Sequence, residues 1–125
     1  MKNIELPQEF DLAKVIQLII NGEPLLIGKR HVKGATEEIY HPDILAEFLI
    51  SRGIKYKMDS LRPPSPALKG KRYHAVGMGK CKIEDCYVFG GYSSAYDRLG
   101  INEDHLRQLQ ALNPEFRFRI DPSFD

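Results

Sequence analysis

Apolar positions recur along this chain with two different periods. Leu12, Ala13, Val15, Ile16, Ile19 and Ile20 form a broad stripe at helical spacing behind Asp11, a capping residue. A helix is therefore predicted over 12–20, with Asn21-Gly22 as its stop. Pro24 to Gly28 then reads as a short strand, followed by the polar, glycine-bounded stretch GKRHVKGATEEIY. HPDILAEFLISRGI carries the clearest helical pattern. Pro42 suits a first-turn position and Asp43 the positive end, while Ile44, Leu45, Phe48 and Leu49 share a face and Gly53 supplies the stop.

Beyond Gly53 the period shortens. Ile54, Tyr56 and Met58 alternate with Lys55 and Lys57, which predicts a strand over 54–58. The stretch LRPPSPALKGK cannot be helical, because its three prolines lack amide hydrogens and clash with a preceding turn. Residues 60–71 are therefore expected to form an internal loop: a surface connection, or else a hinge or lid. Two strands are expected around Arg72–Met78 and Lys82–Phe89, then a turn-rich link SSAYDRLG. Asn102 caps a final helix with Leu106, Leu109 and Leu112 along it and Glu103 and Asp104 in its first turn. Pro114 closes that helix, and FRFRI alternates as a last strand.

These elements predict an α+β fold, a mostly antiparallel sheet of about five short strands packed with two or three helices. A modified ferredoxin-like core is one arrangement the order permits, although the strand count fits it poorly. The 125 residues are expected to form a single domain able to bury a core without staples. A hydrophobic fraction of 42% with 28% charged residues excludes a disordered chain. MKNIELPQEF lacks the apolar run of a signal peptide, and no stretch is long enough to span a bilayer. Two cysteines make no disulfide framework, so the expected setting is the cytoplasm, without a membrane.

Net charge is only +1, but it is unevenly spread. Residues 29–82 hold twelve Lys or Arg against five Asp or Glu, leaving six against twelve elsewhere. Such segregation favours an acidic partner only if folding keeps it on one surface. The basic runs Lys29-Arg30-His31-Val32-Lys33 and Lys69-Gly70-Lys71-Arg72 each flank a predicted strand end, and they share a sheet end if their strands are neighbours. The candidate ligand-binding set is accordingly Lys29, Arg30, Lys33, Lys71, Arg72, Tyr73 and Tyr92. The cations would attract phosphate, and Tyr73, Tyr92 or Tyr96 would stack on a base or sugar. The expected partner is nucleic acid or another phosphate-bearing ligand.

A second expectation is phosphoester hydrolysis or transfer. His31 and His74 lie in the basic, glycine-adjacent regions and are the candidate catalytic acid and base, with Arg30 or Arg72 on an anion and Glu37 or Glu38 as carboxylate partner. His41 suits a cap-region role, and His105 the solvent side of its helix. A third expectation is an interaction or regulatory module, using the Pro-rich loop and the tyrosines, or a homodimer built on an edge strand such as FRFRI. In FRFRI, Phe116 and Phe118 are expected in the core, with Arg117 and Arg119 on the other face.

The density of glycine, cysteine and histidine in RYHAVGMGKCKIEDCYVFGG fits strands and turns better than a site. Cys81 and Cys86 are spaced by four residues and, with His74 and His105, make an unusual zinc set, so no metal or cofactor is expected. A turn at Glu84-Asp85 would bring the two thiols across a ladder. A nucleophilic thiol would need activation that Lys80 and Lys82 permit without specifying. HAVGMGKC lacks both the phosphate-loop and the dinucleotide spacing. Gly77 and Gly79 are expected to share a face with Tyr73 and Ala75, leaving it open to close approach. Gly90-Gly91 before Tyr92, Ser93 and Ser94 reads as a turn whose amides can cup an anion.

Overall fold

Asn21 and Gly22 both take positive φ, 50° and 83°, and join two strands of eight residues, β2 (Ala13–Ile20) and β3 (Glu23–Arg30). The pairing Ile20↔Glu23 leaves a two-residue loop between them. Asn-Gly at that position is the favoured sequence for a tight hairpin turn, because both residues tolerate the left-handed region. The computed structural model describes residues 1–32, 38–62 and 64–124, and it corrects the expected first helix to a strand. Ala13, Val15 and Gln17 point to one face of β2 and Ile16 and Leu18 to the other, and all five are buried. A strand covered on both faces reads as an almost continuous apolar run, which also satisfies a helical stripe.

β2 is central in a six-stranded mixed sheet of order β1-β3-β2-β4-β5-β8. Its other members are β1 (Ile4–Glu5), β4 (Tyr73–Ile83), β5 (Tyr87–Gly90) and β8 (Phe118–Ile120). Three pairings are antiparallel, whereas β1 runs parallel to β3 and β8 parallel to β5. Helix α1 (His41–Ser51) packs Ile44, Leu45 and Leu49 against Ile16, Leu18, Ile27 and Met78 on one face. Helix α2 (Glu103–Leu112) packs Leu106 and Leu109 against Val15, Leu26, Phe89 and Phe116 on the other. The chain is thus α+β with one helix on each face of a mixed sheet. Neither the strand order nor this placement supplies a ferredoxin-like core. A short ribbon of β6 (Tyr92–Ser93) and β7 (Leu99–Gly100) flanks the sheet, linked by a 3-10 turn at Ser94–Tyr96.

Three local expectations change. Residues 54–58 form no strand, and Met58 makes only an isolated bridge to Pro66. β4 continues to Ile83, and the Glu84–Cys86 turn sets Cys81 opposite Phe89, so the two thiols do not face each other across the ladder. A bulge at Val76 shifts the register between Gln17↔Gly77 and Leu18↔Ala75. The extra residue reverses the side-chain parity of β4. Tyr73, Ala75 and Met78 therefore join the α1 core, whereas Cys81 joins the α2 core and Gly77 lies against Gln17 and Asn102 on that same face.

Gly77 admits a buried polar network that fixes α2 to the sheet. Gln17 Oε1 accepts from the Asn102 amide at 2.7 Å, and Gln17 Nε2 donates to Asn102 O at 2.8 Å. The second Nε2 hydrogen reaches His105 Nδ1 at 3.2 Å, and His105 Nε2 donates to Leu18 O at 2.8 Å. A carbonyl only accepts, so His105 is the neutral Nε2–H tautomer. It is buried at 2% exposure, a correction to its expected solvent position. The Asn102 cap itself holds, its Oδ1 accepting from His105 N at 3.1 Å.

Candidate anion-binding cleft

The antiparallel register sets Lys14 directly opposite both Lys29 and Lys80, giving a row of three lysines across β3, β2 and β4. Facing residues on adjacent strands stand about 5 Å apart at Cα, so their like charges meet on one face. Lys29 is neutralised by Glu47 of α1, with Nζ–Oε2 at 2.6 Å. Among the described residues neither Lys14 nor Lys80 has an ion-pair partner. Both line a cleft of about 340 Å³ beside the first turn of α1, closed on its far side by residues 91–95.

Each wall has a local cause. Gly91 takes φ +72° and turns the chain out of β5 into β6, which brings Tyr92, Ser93 and Ser94 over the lysines. A Cβ on Gly91 would only touch the Lys80 stem and the Phe124 carbonyl oxygen, each at 3.6 Å, so the backbone turn rather than crowding requires glycine there. Ser93 is 1% exposed, and its hydroxyl has no hydrogen-bond partner among the described residues. An unpaired buried hydroxyl is costly, which makes it a conspicuous feature of the wall.

On the opposite side, Tyr40 takes the N-cap position of α1 without a side-chain cap, and Pro42 follows in the first turn. The positive end of the helix dipole thus borders the cleft. His41 is buried there, and its Nε2 donates to Gly79 O at 3.0 Å. Burial, reinforced by the charges of Lys14 and Lys80, pushes its pKa down to about 4, so the imidazole is neutral near pH 7. Burial also lowers the Lys14 pKa, with Lys80 adding to the effect and Glu38 opposing it. Lys14 Nζ lies 5.2 Å from the centroid of the Tyr40 ring, whose hydroxyl donates to Glu38 Oε2 at 2.6 Å.

Of the sequence-derived candidates, Tyr92 and the Gly91 turn line the cleft and Lys29 stands in the lysine row beside it, tied to Glu47, whereas the remaining described cations and the two histidines are placed elsewhere. β2 lies between β3 and β4, so the two basic runs are not neighbours. Arg30 pairs with Ala13, whereas the Arg72 carbonyl accepts from Asn21 N, at the other end of β2. That separation is roughly 25 Å along an eight-residue strand. Lys71, Arg72 and Arg30 are exposed, and Lys33 and Glu37 lie outside the described residues. His31 donates its backbone amide to Leu12 O at the Arg30 end, while His74 pairs with Ile19 at the Arg72 end, so the two imidazoles do not converge. Tyr73 and Tyr96 are buried, with their hydroxyls on the Ala67 and Pro66 carbonyls, and neither presents a ring for stacking.

The cysteine chemistry is similarly resolved. Cys81 is fully buried, and desolvation pushes its thiol up to about 12, which makes it a packing residue. Cys86 sits in the β4–β5 turn and His105 in the Gln17 network, so the four residues weighed for zinc belong to separate places. Among the described residues no group of three His, Cys, Asp or Glu side chains could hold a metal ion. No described helix is long and apolar enough to cross a membrane.

Lys14 was hidden from sequence reasoning by the helical interpretation of residues 12–20, and Lys80 by its glycine-flanked context. The usable signal was Asn21-Gly22, which as a hairpin turn makes Lys14 a strand residue. The chain matches no protein-family model and no curated protein.

Proposed function

We propose that this chain binds a small anionic ligand, bearing phosphate or carboxylate, in the cleft between the first turn of α1 and residues 91–95. The observation that carries this reading is the facing pair Lys14 and Lys80, neither of which forms an ion pair among the described residues, although Glu38 lies near enough to act on Lys14. Opposed ammonium groups are unfavourable in the empty protein, and an anion between them converts repulsion into two attractions. The positive end of the α1 dipole and the buried Ser93 hydroxyl, which has no other partner among the described residues, add to the attraction for the same anion. At about 340 Å³ the cleft suits a ligand at the small end of the usual range for binding sites. Tyr92, 41% exposed at its rim, offers a ring to any planar portion of that ligand. Two free cysteines, one of them buried, suit a reducing cytosolic setting for such a protein.

The test is titration with inorganic phosphate at low and high salt, followed by calorimetry. Saturable binding that weakens as salt rises, and that Lys14→Gln and Lys80→Gln each abolish, is the expected result. Binding that survives both substitutions would place the anion elsewhere.

A further inference from the structure

We propose that Lys14 is a nucleophilic amine that captures an aldehyde or ketone carrying a phosphate or carboxylate group, with Lys80 holding the anionic group and Ser93 the carbonyl oxygen. This rests on the anion-binding reading and assigns a different task to each member of the lysine pair. Two ammonium ions side by side in a partly enclosed cleft are disfavoured, so one of them gives up a proton more readily than an isolated lysine does. Lys14 is the one to release it. It lies on the central strand opposite Lys80, and the positive end of α1 borders it.

The groups that act on Lys14 come from every neighbouring element. Lys80 of β4 favours the neutral amine, and so does burial, the largest influence. Glu38 and the Tyr40 ring, both from the segment leading into α1, favour the ammonium without overcoming that burial. His41 is neutral and held by the Gly79 carbonyl, so it adds no charge. Glu47 is occupied with Lys29, which leaves Lys80 as the cation for the ligand.

The reaction is a condensation without a redox step. The Lys14 nitrogen lone pair attacks the carbonyl carbon, and the C=O π pair moves to oxygen. A proton passes from nitrogen to that oxygen, giving a carbinolamine. The hydroxyl then leaves as water with one further proton, and the C=N bond of an imine forms. Ser93, whose hydroxyl is otherwise unpartnered, donates to the oxygen as negative charge grows on it.

Glyoxylate and pyridoxal 5′-phosphate, each at limiting concentration with sodium cyanoborohydride, test the proposal by peptide mapping of the reduced adducts. Lys14 should be labelled at least about tenfold faster than the exposed Lys55 and Lys57, as expected of a desolvated amine beside a cation. Inorganic phosphate should slow that labelling. Lys80→Met should reduce it to the rate of the exposed lysines, and Lys14→Arg should remove the adduct from that position. Equal labelling of Lys14, Lys55 and Lys57 would overturn amine capture. If phosphate still binds the cleft in that case, the anion-binding reading stands alone. If phosphate binds nowhere in the cleft, both fall.

Discussion

Lys14 and Lys80 face each other across β2 and β4, sixty-six positions apart in sequence, and open into one cleft. Facing like charges cost the folded state about 0.2–1 kcal/mol. Lys14→Met or Lys80→Met keeps most of the aliphatic stem and removes that repulsion. Each variant should therefore be slightly more stable than the parent in urea denaturation, by up to about 1 kcal/mol, while losing affinity for phosphate. Loss of stability above about 1 kcal/mol in both variants would mean that the pair serves packing instead.

Ser93→Ala addresses the same trade between stability and binding. The substitution deletes a buried hydroxyl that has no partner among the described residues. The fold should gain on the order of 1 kcal/mol, and phosphate affinity should fall. A destabilised Ser93→Ala protein in urea denaturation would reveal a hydrogen bond the hydroxyl makes within the fold.

Gln17→Leu leaves the Asn102 amide and carbonyl and the His105 ring without their partners in a closed interior. Each orphaned group costs about 1–3 kcal/mol, so a loss of roughly 3 kcal/mol or more is expected. Gly77→Ala would also be destabilising, because its Cβ would overlap Gln17 Oε1. Gln17→Ala removes that obstacle, so the double variant should be more stable than the two single losses predict by addition. Additive losses would show that the glycine is required for another reason.

Stability should fall as the solution is acidified from neutrality. His41 has a folded-state pKa of about 4 against 6.5 when exposed, and burial lowers that of His105 as well. Below pH 6.5 the unfolded chain takes up protons that the folded chain refuses, so the contribution is complete above 6.5 and is lost as pH falls toward 4. For His41 alone the full loss is roughly 3 kcal/mol. Denaturation midpoints measured from pH 7.5 to 4.5 should decline, and His41→Asn should flatten part of the curve. A flat parent profile would show that the imidazoles can be charged inside the fold.

Helix α1 was legible because Pro42, Asp43 and Gly53 mark its ends chemically, and α2 because Asn102 caps it in sequence as it does in space. β2 was not, since a central strand buried on both faces loses the alternation that identifies strands, and Gln17 hides as a buried polar residue. The bulge at Val76 left no local mark, and it reverses which face Gly77 and Gly79 present. The candidate site was mostly illegible for a related reason. Runs such as Lys29-Arg30 and Lys71-Arg72 are visible in a linear chain, yet folding sends them to opposite ends of the sheet. The cations that do meet stand alone in sequence, and only the register of β2 against β4 pairs them. Tyr92 and the Gly91 turn were visible because turn chemistry is local.

Nitrogen-15 and lysine side-chain carbon shifts recorded during a phosphate titration test the shared cleft most directly. Lys14, Lys80 and Ser93 should move together along one saturable curve, with Lys71 and Arg72 unmoved. Shifts confined to Lys71 and Arg72, or no saturable change at Lys14 and Lys80, would contradict the account.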